Sequence, residues 1–156
     1  ALAKHLGIAV RTTADFPSFS DANRRILEAD DGWSAVTLDV DGKKLIILKT
    51  SNSIGRQSSD LMHELAHHLL DHRPSEVNVS SEGLLMLHSY SRVQESQADW
   101  LASCLLLPRP VLMHIKRRIR DEAAAAREYQ VSLAMLRFRL DVSGVNYQLA
   151  RSRAAR

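Results

Sequence analysis

Hydrophobic and polar positions change rhythm along this chain. In residues 33–49 the runs WSAVTLDV and KKLIILK are rich in β-branched residues and are separated by Asp41-Gly42. That dipeptide suits a two-residue type I′ turn, so the stretch predicts a β-hairpin. Residues 8–13 read as one more short strand. DFPSFSDANRR, with Pro17 and several Ser and Asp, reads as loop, and residues 73–90 as irregular. Helical patterns dominate the remainder. Asn52 or Ser53 caps a helix running to about Asp71 and ended by Pro74. A second helix runs from about Ser91 to Leu106 and stops before Pro108. Pro110 suits the first turn of a third, which continues through the alanine run EAAAAR to about Tyr129. Ser132 opens a short fourth helix, and Gly144 separates it from a last one.

Strands first and helices afterwards predict an α+β fold. The expected division is a core over residues 1–107 and a C-terminal helical segment over 108–156, packed on that core. With 156 residues the chain is long enough for one hydrophobic core and too short for two comfortable domains. The opening ALAKHLG reads as the end of a helix begun upstream, so further sequence is expected before Ala1.

Composition narrows the class. Hydrophobic residues at 45% and charged residues at 25% argue against disorder. No apolar run is long enough to cross a bilayer, and no signal-peptide pattern opens the chain. The single cysteine, Cys104, has no internal disulfide partner and lies in the apolar run WLASCLLLP, which predicts a packing residue and a cytosolic setting. The net charge of +3 conceals an asymmetry: up to Leu107 there are ten Lys/Arg against fourteen Asp/Glu, and from Pro108 onward eleven against four. The basic part reads as a solvated helical surface, with an acidic partner or nucleic acid as the functional alternative.

The chemistry concentrates in His63-Glu64-Leu65-Ala66-His67, an H-E-x-x-H pattern within a predicted helix. Histidines four residues apart stand one turn apart on one face and can reach a single cation, and imidazole suits zinc. Glu64 lies beside that face, where it can act on a water without binding the metal. A catalytic zinc normally takes three protein ligands. A third histidine in an H-E-x-x-H-x-x-G-x-x-H run is excluded, because Leu70 and Arg73 hold the required positions. Glu95, at the opening of the helix ESQADWLASCLLLP, fits instead. Asp99 stands one turn further on, placed to accept a hydrogen bond from the second nitrogen of a ligand histidine, His63 foremost. Ala98 and Ala102 share that face and allow close approach of the two helices. His68 points about 140° away from His63 and is excluded from the same site. His72 and His114 read as surface residues. His88 and Tyr90 are candidates to steady an oxyanion, against a default of loop packing.

These segments resemble the ImmA/IrrE family of metallopeptidases. RQSSDLMHELAHHLLDH and ESQADWLASCLLLP carry the specific likeness, and AAREYQVSLAMLRFRLDVSGV resembles the family's C-terminal helical segment more weakly. Ala66 stands where a Gly is common. The resemblance implies a zincin-like core, zinc held by His63, His67 and Glu95, and Glu64 as catalytic base. It also implies a helix-turn-helix repressor as the protein substrate, and so a role in gene regulation and stress response. Zinc would acidify a water and polarise the scissile carbonyl, while Glu64 moves the proton to the leaving amine.

Two other readings compete. The first is a DNA-binding regulator in which Ser132 opens a recognition helix, though Leu133, Leu136 and Leu140 form a stripe that asks for a core. The second is a protein-interaction module with a structural metal, for which Glu64 would have no use. Strong sequence-specific nucleic-acid binding is not expected.

Overall fold

Among the described residues, three strands form the main sheet and one helix is seated on it. The structure, a computed structural model, describes residues 1–17, 20–29, 33–40, 42–72, 77–79, 85–87, 91–119 and 121–154. Helix α1 (Leu2–His5) leads into β1 (Ala9–Thr12), a 3₁₀ turn (Thr13–Asp15) and α2 (Asp21–Ala29). The hairpin follows as β2 (Ala35–Val40) and β3 (Lys43–Leu48). These two strands pair antiparallel with Val40 opposite Lys43, the register of a two-residue turn, and Gly42 takes the φ of +75° that such a turn demands. Asp41 lies outside the described residues. β1 adds in parallel to the other side of β3, giving the order β1-β3-β2 with β2 at an edge.

Helix α3 (Ile54–Leu69) covers this sheet. Its Leu65 is buried with Ile8, Ile46 and Leu48, and Leu61 and Met62 pack against them. Ser53 is the cap, accepting from the backbone N–H of Arg56, while Asn52 instead donates to Asp60 at 3.2 Å. Helix α4 (Arg92–Leu106), capped by Ser91, lies against α3 through Ala66, Ala98 and Ala102, which are all but fully buried. Alanines at the contact let the two backbones approach closely, which brings the polar side chains flanking them within reach of one another.

The C-terminal part forms its own core. α5 (Arg109–Arg118), α6 (Glu122–Glu128), α7 (Leu133–Val142) and α8 (Val145–Ala154) bury Leu112, Ile115, Ala125, Ala126, Val131, Leu136, Leu140 and Val145 together with Leu107 from the end of α4. The Leu136 and Leu140 stripe therefore faces inward. A second contact joins this part to the site helix. Gly55, in the first turn of α3, lies so close to the backbone of Val131 and Ser132 that a Cβ there would stand 3.0 Å from the Val131 carbonyl carbon. Gly55→Ala is expected to destabilise the protein by about 1 kcal/mol. Crowding of about 1–3 kcal/mol outweighs a helix-propensity gain of about 1 kcal/mol. Denaturant unfolding of the two proteins measures the difference.

Three expectations need correction. DFPSFSDANRR is not all loop, because its last five residues open α2; Asp21 suits a helix N-terminus and the following Ala and Arg are good helix formers. Residues 77–79 and 85–87 are paired strands, β4 (Val77–Val79) and β5 (Leu85–Leu87), each too short to show a period. The helix expected from Pro110 to Tyr129 is two helices. The backbone extends at Ile119, and the Asp121 side chain accepts from the Ala123 N–H at 2.8 Å to start α6 afresh.

Candidate metal centre

Two helices and one edge strand build the site. On α3, His63 and His67 project from one side, toward α4, with their Nε2 atoms 2.9 Å apart. From the first turn of α4, Glu95 reaches both: Oε2 lies 3.1 Å from His63 Nε2 and Oε1 3.5 Å from His67 Nε2. Among the described residues, these three are the set whose ligand atoms all lie within 4.8 Å of one another. The partners of the other ring nitrogens fix which lone pairs point inward. His63 Nδ1 donates to Asp99 Oδ1 at 2.9 Å, so its Nε2 presents a lone pair to the cluster. His67 Nδ1 is occupied by His72 Nδ1 at 3.1 Å. Two ring nitrogens 2.9 Å apart beside a carboxylate call for a proton or a cation between them. The donor set, two imidazoles and one carboxylate, fits a zinc-type ion.

Burial, and after it the neighbouring His63, hold the His67 imidazole below the ordinary histidine value of 6.5. Neutral His67 is the form that can bind a metal. The same shift ties folding to pH. As pH falls below 6.5, the unfolded chain takes up a proton that folded His67 refuses, so the metal-free protein loses stability. Thermal unfolding of metal-free protein should show a lower midpoint at about pH 5.5 than at about pH 7.5, roughly one pH unit either side of that value.

The cluster opens to solvent. The side chains of His63, His67 and Glu95 retain 24, 23 and 27% of their exposure, unlike the sealed shell of a structural zinc. Glu64 points instead to the strand side, where Thr37 Oγ1 of β2 donates to its Oε2 at 2.5 Å. One carboxylate is thus aimed at the metal position and the other is held apart from it, beside the edge strand.

The profile of the IrrE N-terminal-like domain of the M78 peptidases matches residues 3–141. The chain belongs to this family. No curated protein matches it. M78 membership and the His63–His67–Glu95 cluster together make this a metallopeptidase-type domain with a metal-competent centre.

Of the residues singled out from sequence, the M78 domain brings together His63, His67, Glu95 and Asp99, with Glu64 adjacent. His88 and Tyr90 lie outside the described residues. Cys104 is half-buried in α4, and His114 is exposed. Two features escaped sequence reading. Thr37 is 27 residues from the Glu64 carboxylate it touches, with no local signal. His72, read as a surface histidine, instead faces His67, and the only available hint was its place just beyond the helix end.

Proposed function

We propose that this protein is a zinc-dependent endopeptidase in which His63, His67 and Glu95 hold the metal and Glu64 is the general base. The observation that carries this reading is the division of labour between two carboxylates. Glu95 lies 3.1 and 3.5 Å from the two histidine nitrogens, while Glu64 is turned aside and hydrogen-bonded to Thr37. A purely structural site has no use for the second one.

When bound, zinc supplies Lewis acidity, polarising the scissile carbonyl and acidifying a water. Glu64 accepts the proton of the attacking water and delivers it to the departing amine nitrogen. Thr37 holds the Glu64 carboxylate by a single hydrogen bond, leaving Oε1 for that exchange. Asp99 fixes the ring of His63. β2 is an edge strand and carries Thr37, so an extended peptide adding to that edge would run past Glu64.

The substrate we propose is a DNA-binding repressor of the helix-turn-helix type, cut in an exposed segment. The class comes from the ImmA/IrrE resemblance, and the exposed segment from the chemistry, since a helix must unwind before it can pair with a strand edge. Cleavage would relieve repression in the cytosol. No helix of the described residues is long and apolar enough to cross a membrane. Direct base reading by α7 is disfavoured by its own arginines: Arg139 is buried against Leu107 and Trp100, and Arg137 pairs with Glu122. The test is incubation of zinc-loaded protein with purified repressors and mass analysis of the fragments, beside a shift assay on random and specific duplexes. Discrete fragments support the proposal. Tight, sequence-selective DNA binding without proteolysis would replace it with the direct-regulator reading.

A further inference from the structure

We propose that His72 and Gln97 form a neutral relay that sets the tautomer and orientation of His67, making His72 a positioning residue for the metal centre. The inference rests on the reading of His63, His67 and Glu95 as a metal site and extends it to residues that no ligand pattern contains.

The backbone delivers His72 first. Leu70 is the C-cap of α3, and Asp71 takes a left-handed φ of 51°. The Asp71 N–H then donates to the His68 carbonyl at 3.2 Å and the His72 N–H to the His67 carbonyl at 3.0 Å. This pair of bonds is a Schellman ending, which folds the chain back over the last turn of the helix. It sets the His72 ring against that of His67, with centroids 5.0 Å apart in an edge arrangement. The two Nδ1 atoms lie 3.1 Å apart, and His72 Nε2 lies 3.1 Å from Gln97 Oε1.

Proton placement follows from this chain. A carbonyl oxygen only accepts, so with Gln97 Oε1 facing the ring, His72 Nε2 carries the hydrogen. Neutral His72 then has a lone pair on Nδ1. That lone pair accepts from Nδ1–H of His67, which leaves the His67 Nε2 lone pair facing His63 and Glu95. Were the Gln97 amide turned to donate, every hydrogen in the chain would reverse. His67 would then present N–H to the cluster and could not bind a cation.

α4 therefore serves both histidines from its two edges. The buried stripe of Ala98 and Ala102 faces α3; Asp99 flanks it on one side and reaches His63, and Gln97 flanks it on the other and reaches His67 through His72. The arrangement is asymmetric in charge. His63 leans on a carboxylate, whereas His67 leans on a neutral amide passed through a second imidazole.

The experiment is zinc competition against a chromophoric chelator, with folding of each variant checked by circular dichroism. His72→Phe keeps a flat ring and removes the acceptor. Gln97→Leu, at an exposed position, removes the relay's terminus with little effect on folding. Each is expected to weaken zinc binding, His72→Phe by about 10–100-fold and Gln97→Leu by less. Gln97→Glu retains an accepting oxygen and should restore affinity to at least the parent value. The double variant should be no weaker than His72→Phe alone, because Gln97 acts only through His72. ¹⁵N spectra of zinc-loaded protein should show His67 as the Nδ1–H tautomer. Unchanged affinity in folded His72→Phe, or equal losses in Gln97→Leu and Gln97→Glu, would overturn the relay while leaving the metal site standing. Absence of zinc binding by the parent chain would remove both.

Discussion

Zinc-loaded Glu64→Gln is expected to fold and to hold its metal while peptide hydrolysis falls by about 10²–10⁴-fold, the usual contribution of a general base. The geometry separates the two properties. Glu64 bonds to Thr37 on β2 and lies outside the His63–His67–Glu95 set, so the amide replaces a proton acceptor while leaving those three ligand atoms unchanged. The Thr37 hydroxyl can still donate to the amide oxygen, so the side chain keeps its place. Zinc stoichiometry and hydrolysis of a fluorogenic peptide or a purified repressor, measured on one preparation, give both readouts. An active Glu64→Gln protein would remove Glu64 from the mechanism. Loss of zinc with activity would instead make Glu64 a ligand.

His63→Ala should abolish zinc binding, which in the parent chain is expected at one ion per protein. His63 is the ring to which most of the site is tied: its Nε2 meets Glu95 and His67, and its Nδ1 meets Asp99. Its removal leaves His67 and Glu95, too few for a catalytic zinc site. Asp99→Ala should be milder, weakening affinity by about 10–100-fold, because it orients a ligand without being one. Metal analysis after gel filtration separates these outcomes. Full zinc occupancy in His63→Ala would refute the ligand set.

The parts legible in sequence are those with local causes. Ser53, Ser91 and Ser132 each accept a hydrogen bond from the N–H three residues on, so a cap can be read from a few adjacent letters. The hairpin register follows from the two residues between its strands. The His63–Asp99 bond was foreseeable because Glu95 and Asp99 are one turn apart on α4, as His63 and His67 are on α3. What stayed hidden depends on tertiary juxtaposition. The Thr37–Glu64 bond needs the sheet laid under α3. The His72 contact needs Asp71 in a left-handed conformation, which few non-glycine residues adopt and which no pattern announces. The break before α6 was missed because Asp121 looks like one more helical surface residue until Ile119 is pulled into the C-terminal core.

Leu107 gives α4 two allegiances. At one end of the helix Glu95 belongs to the metal cluster; at the other, Leu107 is fully buried in the core of α5–α8, and its carbonyl accepts from Arg139. That core is assembled from neighbours close in sequence, whereas the metal cluster must bring α3 and α4 together across the segment between them. Amides in a fully buried core open only with global unfolding, whereas those around partly exposed side chains open locally. In metal-free protein the amides of α5, α7 and the final turn of α4 should therefore exchange hydrogen slowly, and those near Glu95 and in α3 faster. Zinc should slow the second group selectively. A single helix would then record two separate events, the closing of a scaffold at one end and the arrival of a cofactor at the other.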